Sequence, residues 1–281
     1  MSDLSRIEFT LPSDKAEEAD LILCDLAPQG WEETESDGRT TFCFHLQDHP
    51  LADELAQRIS RRWPEAAPRV SKTESCDWAS AWKEFFTPIN CGERFEIVPP
   101  WLEDQADASR TTIVIEPRMA FGTGHHPTTA LCLEAMADLL RTGQIAAGQR
   151  FLDLGTGSGI LGVGLVKLGL FGLGLDIDPQ AVACAAANLE ANQTAEAMVL
   201  AVGGLECLAP GARFDVITAN ILSGPLISMA PRLTTHLASH GRLILSGILA
   251  EQGPDVRRAY REAGLDEPVH LEQGEWRALV Y

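Results

Sequence analysis

The chain has 281 residues, of which 45% are hydrophobic and 22% charged, and its formal net charge is −18. This composition is typical of a soluble globular protein and excludes an intrinsically disordered chain. The length predicts two domains, each able to bury a core. No apolar run approaches the roughly 18 residues of a membrane span, and the N-terminus lacks the basic start and apolar stretch of a signal peptide, so we expect a cytoplasmic protein.

The seven cysteines and the charge narrow the classes of function. The cysteines are scattered and form no CxxC pair, which predicts reduced thiols rather than a disulfide framework or a structural zinc site. Phosphate contacts need clustered lysines and arginines, so the acidic balance argues against direct nucleic-acid binding. Residues 1–70 carry 15 acidic and 7 basic side chains, a net charge of −8. This part carries more net negative charge per residue than the rest of the chain, which favours a basic partner.

The first region, residues 1–72, has the pattern of a small α+β domain. Apolar runs predict strands at 7–11, 40–46 and 69–72. A turn-rich stretch through Asp37-Gly38 precedes the second of them. Apolar residues at helical spacing predict helices at 14–26 and 50–63. We expect the order β-α-β-β-α-β, with both helices on one face of the sheet. Nothing in this region has a catalytic pattern, so we interpret it as a substrate-recognition domain, the alternative being a structural extension.

The second region, residues 73–118, is rich in aromatic residues and prolines. Four aromatic residues fall near helical spacing: Trp78, Trp82, Phe85 and Phe86. Such a stripe is more typical of a packed core than of a cofactor site. Two strand-like runs follow, at 95–101 and 111–115. We therefore expect a linker whose aromatic residues pack between two domains.

The third region, residues 119–281, alternates short apolar runs with helical patterns. Strands are predicted at 150–154, 171–175, 197–201, 214–219, 241–246, 268–272 and 276–281. Helices are predicted at 127–141, 159–168, 179–192, 223–238 and 250–263. This alternation indicates an α/β fold with a doubly wound, mainly parallel, Rossmann-like sheet. Ligands of such sheets bind outside the carboxyl ends of the strands.

A glycine-rich turn follows the first strand of this sheet. Gly157, Gly159 and Gly162 satisfy the GxGxxG pattern of dinucleotide-binding proteins, so an NAD-dependent oxidoreductase is one alternative. Asp153 lies two residues before Gly155, in the sequence DLGTGSG. An anion there suits a cofactor that carries an ammonium and a sulfonium group better than it suits a pyrophosphate.

Two further polar residues end neighbouring strands. Asp176 lies 21 residues after Gly155, where a carboxylate accepts hydrogen bonds from ribose hydroxyls; this spacing fits both kinds of cofactor. Asn220 ends the strand sequence FDVITAN and places an amide beside the reacting centre, which NAD enzymes do not generally need. Together these features resemble the class I S-adenosylmethionine-dependent methyltransferases.

The sequence FGTGHHPTT, at 121–129, joins a glycine loop to a helix start. Capping of the helix accounts for the threonines. His125 and His126 have no third ligand at a recognisable spacing, so we predict no metal site. We expect a polar lid over the cofactor. Whether His125, His126 or water accepts a proton from the substrate stays open.

The ordered set of motifs is more specific than a superfamily. FGTGHHPTT, DLGTGSGILGVGLVKLG, GLDIDPQAVACAAANLEAN, DVITANILSGPL and LSGILAEQ occur in this order. They resemble the ribosomal protein L11 methyltransferase family (PrmA type) over roughly 118–281, supported by the aromatic segment before it. Asn220-Ile221-Leu222 differs from the NPPY-like signature of enzymes that methylate glutamine amides or adenine amino groups. Gln193-Thr194 departs from the Asn-Gly turn that is usual in the family, which affects only a loop.

The resemblance implies S-adenosylmethionine as methyl donor and the α-amino group and lysine ε-amines of a basic large-subunit ribosomal protein as acceptors. It implies that the N-terminal domain holds the substrate and reorients on a flexible linker. The implied cofactor contacts are Thr129, Gly155, Asp176 and Asn220, with Phe121, Asp153 and Gly157 as neighbours. Asn220 would also be the catalytic residue, near the donor sulfur and the incoming amine. We expect a monomer. The alternatives are a methyltransferase for another protein or a small molecule, an NAD-dependent oxidoreductase, and a non-enzymatic ribosome-associated module.

Overall fold

The protein was analysed as a computed structural model that describes residues 4–16, 19, 23, 31–36, 38–46, 49–73, 87–116 and 126–281. Contacts between Cα atoms divide the chain into two compact units, Met1–Phe86 and Thr87–Tyr281. Within the described ranges, no helix has both the length and the apolar character needed to cross a bilayer.

The first unit contains a four-stranded antiparallel sheet and a long helix. Its described elements are β1 (Leu4–Pro12), β2 (Glu32–Ser36), β3 (Arg39–Leu46), α1 (His49–Arg62) and β4 (Arg69–Thr73). The strand order is β2-β3-β1-β4. The alternating apolar residues of β1 and β3 point into a core that also receives Leu55 and Ile59 of α1. This burial of one sheet face against a helix is what the alternation of β1 predicts.

Most of the sequence prediction for the first unit is confirmed. The predicted strands correspond to β1, β3 and β4, and the predicted helix 50–63 to α1. The remaining strand, β2, lies directly before Asp37, where the sequence indicated only turns; all five of its residues are exposed, so no apolar alternation marks it. Most of the predicted helix 14–26 lies outside the described residues, although Ala19 and Leu23 are helical and buried.

The second unit contains a small sheet, a large sheet and five helices in its described part. The small sheet consists of β5 (Ile89–Cys91), β6 (Phe95–Val98) and β7 (Thr111–Val114). The large sheet consists of β8 (Arg150–Leu154), β9 (Phe171–Asp176), β10 (Met198–Val202), β11 (Phe214–Asn220), β12 (Leu237–Leu249), β13 (Val269–Gln273) and β14 (Trp276–Val280). The helices are α2 (Pro127–Arg141), α3 (Ile160–Lys167), α4 (Pro179–Ala191), α5 (Ser223–Leu233) and α6 (Gly253–Glu262).

The large sheet is doubly wound, with the order β10-β9-β8-β11-β12-β14-β13. The first five strands in this order are parallel, and β14 pairs antiparallel with both β12 and β13. The chain runs outward from β8 through β9 to β10 and then returns to the other side of β8 as β11. The switch point of the sheet therefore lies between β8 and β11, which is where ligands bind in open sheets of this kind.

Both faces of the large sheet are covered by helices. Successive residues of the central strand alternate between two cores: Phe151 packs with residues of α2, α3 and α4, and Leu152 packs with residues of α5 and α6. The same alternation occurs in β11, where Val216 and Ile217 take opposite faces. Strands buried on both sides are continuously apolar, which explains why short apolar runs predicted this sheet correctly.

One predicted helix boundary is wrong. The sequence predicted a helix over 223–238, but α5 ends at Leu233, a 3₁₀ turn covers Thr234–His236, and β12 begins at Leu237. Thr234 donates its hydroxyl to the Ala230 carbonyl at 3.0 Å, and Thr235 donates its hydroxyl to the Arg232 carbonyl at 2.7 Å. These side-chain bonds satisfy carbonyls that a continuing helix would use, so the helix ends here.

Candidate active site

Three neighbouring strands of the large sheet end beside one cavity. The cavity has a volume of about 900 Å³, and its lining includes Gly155 after β8, Asp176 at the end of β9 and Asn220 at the end of β11. The predicted residues Gly155, Gly157, Asp176 and Asn220 are thus brought together. A second cavity of about 820 Å³ is lined instead by the start of β12 and the end of β14, at the opposite edge of the sheet, and includes none of the predicted site residues.

The glycine turn requires glycine at its first position. Gly155 has a φ of +72°, and a Cβ atom there would collide with Cγ2 of Ile221. The backbone N–H groups of Gly155 and Thr156 both donate to the Leu175 carbonyl, at 2.8 and 2.9 Å. The turn therefore stays close to the end of β9 and brings bare backbone to the cavity, which is the use that a ligand makes of such a glycine.

Asp176 is held in place by backbone donors. Its Oδ2 accepts a hydrogen bond from the Gly157 N–H at 2.9 Å, and its Oδ1 accepts one from the Asp178 N–H at 3.0 Å. Each carboxylate oxygen has a second lone pair, so both can still accept hydrogen bonds from a ligand. Asp178 in turn caps α4 by accepting from the Gln180 N–H at 2.8 Å. The carboxylate of Asp176 is therefore an oriented acceptor at the cavity wall.

Asn220 carries an acceptor that the protein leaves unused. Its Nδ2 donates to Oγ1 of Thr129, in the first turn of α2, at 3.5 Å. Its Oδ1 is buried and accepts no hydrogen bond from any of the residues that the structure describes. A buried acceptor without a donor costs free energy, so Oδ1 is suited to a donor on a bound molecule. Thr129 itself is completely buried and contacts Asn220.

Asp153 lies below the cavity, and its hydrogen bonds are to protein groups. The side chain is only 1% exposed. Its carboxylate accepts hydrogen bonds from the hydroxyls of Thr156 and Thr218, each at 2.7 Å, and from the Gly162 N–H at 3.2 Å. Burial raises the pKa of this carboxyl above its ordinary value, although the three donors act in the other direction. The sequence did not indicate Thr156 and Thr218, because single threonines in a buried strand or turn form no recognisable pattern.

His126 caps helix α2. Its Nδ1 accepts from the Thr128 N–H at 3.4 Å and lies 2.8 Å from the Thr128 hydroxyl. Its ring meets the edge of the Trp276 ring, with 4.7 Å between the centroids. This geometry makes His126 the N-cap of the helix, whereas the sequence pattern attributed the capping to the threonines. Phe121 and His125, which the sequence also singled out, lie outside the described residues.

Two exposed apolar side chains border the cavity. Ile177, which follows Asp176, is 80% exposed, and Leu222, two residues after Asn220, is 73% exposed. The cavity therefore combines an apolar rim with a few oriented polar groups, as small-molecule sites generally do.

Comparison with known proteins agrees with this architecture. A family model described as "Ribosomal protein L11 methyltransferase (PrmA)" matches residues 14–281. A ribosomal protein L11 methyltransferase of Trichlorobacter lovleyi is 45% identical over 220 residues, which cover 78% of this chain and 72% of that protein. The corresponding protein of Geobacter metallireducens is 38% identical over 254 residues, which cover 86% and 81%.

A solved structure is also similar. The crystal structure of a ribosomal protein L11 methylase from Lactobacillus delbrueckii subsp. bulgaricus has 31% sequence identity and a TM-score of 0.62, and the match covers 69% of this chain and 97% of that one. These matches confirm the resemblance that the ordered motifs indicate. The chain belongs to the ribosomal protein L11 methyltransferase (PrmA) family.

Proposed function

We propose that the protein transfers methyl groups from S-adenosylmethionine to the α-amino group and lysine ε-amines of ribosomal protein L11. The observation that carries the proposal is the cavity at the switch point, where Gly155, Asp176 and the unused acceptor of Asn220 meet. Membership of the family supports the reaction class and the acceptor protein.

The residues around the cavity fit this methyl donor. Asp176 retains lone pairs for the two ribose hydroxyls, and Ile177 offers an exposed apolar surface for the base. The turn at Gly155 and Gly157 lets the ligand approach the backbone. A pyridine dinucleotide would meet the carboxylate of Asp176 equally well, but it gives no role to the buried amide of Asn220.

The donor supplies a methyl group that is already activated by its sulfonium, so the protein needs little covalent chemistry. Its residues have to hold the acceptor nitrogen in line with that group, and placement of this kind contributes about 7–11 kcal/mol. Asn220 serves this purpose because its Nδ2 bond to Thr129 fixes the amide and leaves Oδ1 to accept a hydrogen from the incoming amine.

The acceptor amine must be neutral when it attacks. A free lysine has a pKa of about 10.4, and transfer into an apolar environment lowers it. Ile221 and Leu222 supply apolar surface next to Asn220 for this purpose. The proton acceptor is water or a histidine.

We further propose the domain roles that the sequence suggests: recognition of the substrate by 1–72, a linker at 73–118 and methyl transfer by 119–281. The local charge supports the first role, because β2 exposes Glu32, Glu33 and Glu35, and residues 1–70 carry a net charge of −8. Such a surface attracts a basic protein and increases its rate of association.

Incubation of the enzyme with methyl-labelled S-adenosylmethionine and purified large-subunit proteins tests the proposal. We expect label on L11, with mass increments of one methylene group per transfer and peptide fragments that carry the label on amines. Label on a different protein would contradict L11 as the acceptor but would still support methyl transfer as the reaction. Tight binding of NADH without any methyl transfer would contradict the proposal as a whole.

Replacing Leu222 with alanine is expected to raise the KM for the protein acceptor about fivefold, because roughly 1 kcal/mol of apolar contact is lost. The Kd of S-adenosylmethionine should stay unchanged. Alanine is preferred to serine, since Leu222 is the N-cap of α5 and serine would add a capping bond. Val199→Ala is the matched control, because Val199 is similarly exposed on β10. Equal effects of both variants on KM would contradict a role for Leu222 at the acceptor entrance.

A further inference from the structure

A buried chain of hydrogen bonds connects the glycine turn to β11. The carboxylate of Asp153 accepts from Thr156 in the turn and from Thr218 in β11, both at 2.7 Å. All three side chains are at least 96% buried. Both threonines supply hydrogen-bond donors to a buried carboxylate, which a valine of similar size could not do.

The network also replaces a missing helix cap. Gly159 is the N-cap of α3 and has no side chain that could accept a hydrogen bond. Asp153 accepts instead from the Gly162 N–H, in the first turn of this helix. The helix N-terminus favours a negative charge there, so the carboxylate is bound from three elements at once: the turn, α3 and β11.

The position of the Thr218 bond gives it a particular consequence. Thr218 and Asp153 are partners in the parallel ladder between β11 and β8, and Ala219 with Leu154 forms the last pair of that ladder. Asn220 follows directly and pairs with Ser246 of β12 instead. Among the described residues, the bond from the Thr218 hydroxyl to Asp153 lies one residue pair before the end of this ladder, with Gly155 and Asp176 on one side of it and Asn220 on the other.

Close contact makes this junction sensitive to small shifts. Gly155 lies so near Ile221 that a Cβ atom would collide with it, and Ile221 is the next residue after Asn220. A change in the spacing between β8 and β11 therefore moves the amide of Asn220 relative to the turn that would hold the methyl donor. Burial raises the pKa of Asp153, so its carboxylate depends on the three donors that hold it in place.

We infer that Thr218 is a positioning residue for methyl transfer: its hydrogen bond to Asp153 holds Asn220 at the correct distance from the glycine turn. The inference rests on the proposed function. Thr218 contacts neither donor nor acceptor in this role, and Asp153 acts below the cavity rather than as a direct ligand of the methyl donor. Thr156 holds the glycine turn, on the side of the methyl donor, and Thr218 holds β11, on the side of the acceptor.

Two variants of Thr218 separate its hydroxyl from its methyl group. Thr218→Val keeps the volume and removes the bond to Asp153, whereas Thr218→Ser keeps the hydroxyl and removes only the methyl group. Single-turnover rates with L11 are measured for both at saturating S-adenosylmethionine, and the Kd of this donor is measured by calorimetry. We expect the valine variant to be slower by about tenfold, because small misplacements of reacting groups lower rates steeply. The serine variant should retain the wild-type rate, and both should bind the donor as the wild type does.

Other outcomes overturn the inference. Equal rates for the two variants, whether slow or fast, would show that the hydroxyl does not matter. A weaker Kd in the valine variant with an unchanged saturated rate would place the effect on the donor side. If Thr218→Val does not fold, Thr218→Ala compared with Thr218→Ser isolates a single oxygen atom in the same way. Absence of methyl transfer by the wild-type enzyme would instead contradict the proposed function and is distinguished by that control.

Discussion

Replacing Asn220 with alanine is expected to lower the single-turnover rate of methyl transfer about a hundredfold, because the group that aligns the acceptor is lost. The Kd of S-adenosylmethionine should change much less. Two properties of Asn220 suit it to this role. Its amide donates to Thr129, and its buried oxygen has no donor among the described residues. Rapid-quench measurements with labelled donor and saturating L11 give the rate directly.

A second substitution tests whether position or chemistry matters at Asn220. Asn220→Gln retains the amide but moves it by one methylene group, so it should be nearly as slow as the alanine variant if alignment is decisive. Thr129→Ser is the matched control, since it preserves the hydroxyl that accepts from Nδ2, and it should stay close to the wild-type rate. An unchanged methyl-transfer rate in Asn220→Ala would remove the proposed role of this residue.

The central strands of the large sheet could be predicted from sequence because they are buried on both faces. Apolar residues follow one another in these strands, as Phe151-Leu152 and Val216-Ile217 do, and Asp178 caps α4 directly before Pro179. The order β-α-β-β-α-β includes the edge strand β2, but its bounds could not be predicted, since all of its residues are exposed. The end of α5 depends on hydroxyl-to-carbonyl bonds of Thr234 and Thr235, which no apolar pattern encodes.

The candidate site also contains residues that the sequence predicted and residues that it did not. The spacing of Gly155, Asp176 and Asn220 followed from strand ends alone, and the structure places all three at one cavity. The surroundings of Asp153 could not be read from spacing, because its partner Thr218 lies 65 residues away along the chain and meets it only through the crossover to β11.

Buried amides form another link that sequence did not reveal. Asn192 accepts from the Val114 N–H at 2.8 Å and donates to the Val114 carbonyl at 2.6 Å, across 78 residues of sequence. Asn188 donates to the Ser158 carbonyl at 2.8 Å, in the glycine turn. Helix α4 therefore connects the end of β7 to the turn, and both asparagines are buried. In the sequence they appear only as polar residues of an amphipathic helix.

Replacing Asp176 with alanine is expected to raise the Kd of S-adenosylmethionine by at least about a hundredfold, since two hydrogen bonds to a charged group, each worth roughly 1.5–3 kcal/mol, are lost. The alanine variant loses the acceptors for the ribose hydroxyls. It also frees the N–H groups of Gly157 and Asp178, which the carboxylate holds in place. Once the donor is saturating, the methyl-transfer rate should recover most of its wild-type value, because Asn220 and the acceptor rim are unchanged. Calorimetric titration and single-turnover rates separate the two quantities.

The effect of the negative charge of Asp176 on donor binding has to be separated from the effect of its hydrogen bonds. Asp178→Asn removes one negative charge two residues away and keeps the oxygen that caps α4, so it should bind the donor nearly as the wild type does. Asp176→Asn keeps one oxygen acceptor and should fall between the wild type and the alanine variant. If Asp176→Ala and Asp178→Asn weakened binding equally, the carboxylate would act through its charge and not as a ribose ligand. Wild-type affinity in Asp176→Ala would mean that the ribose is held elsewhere in the cavity.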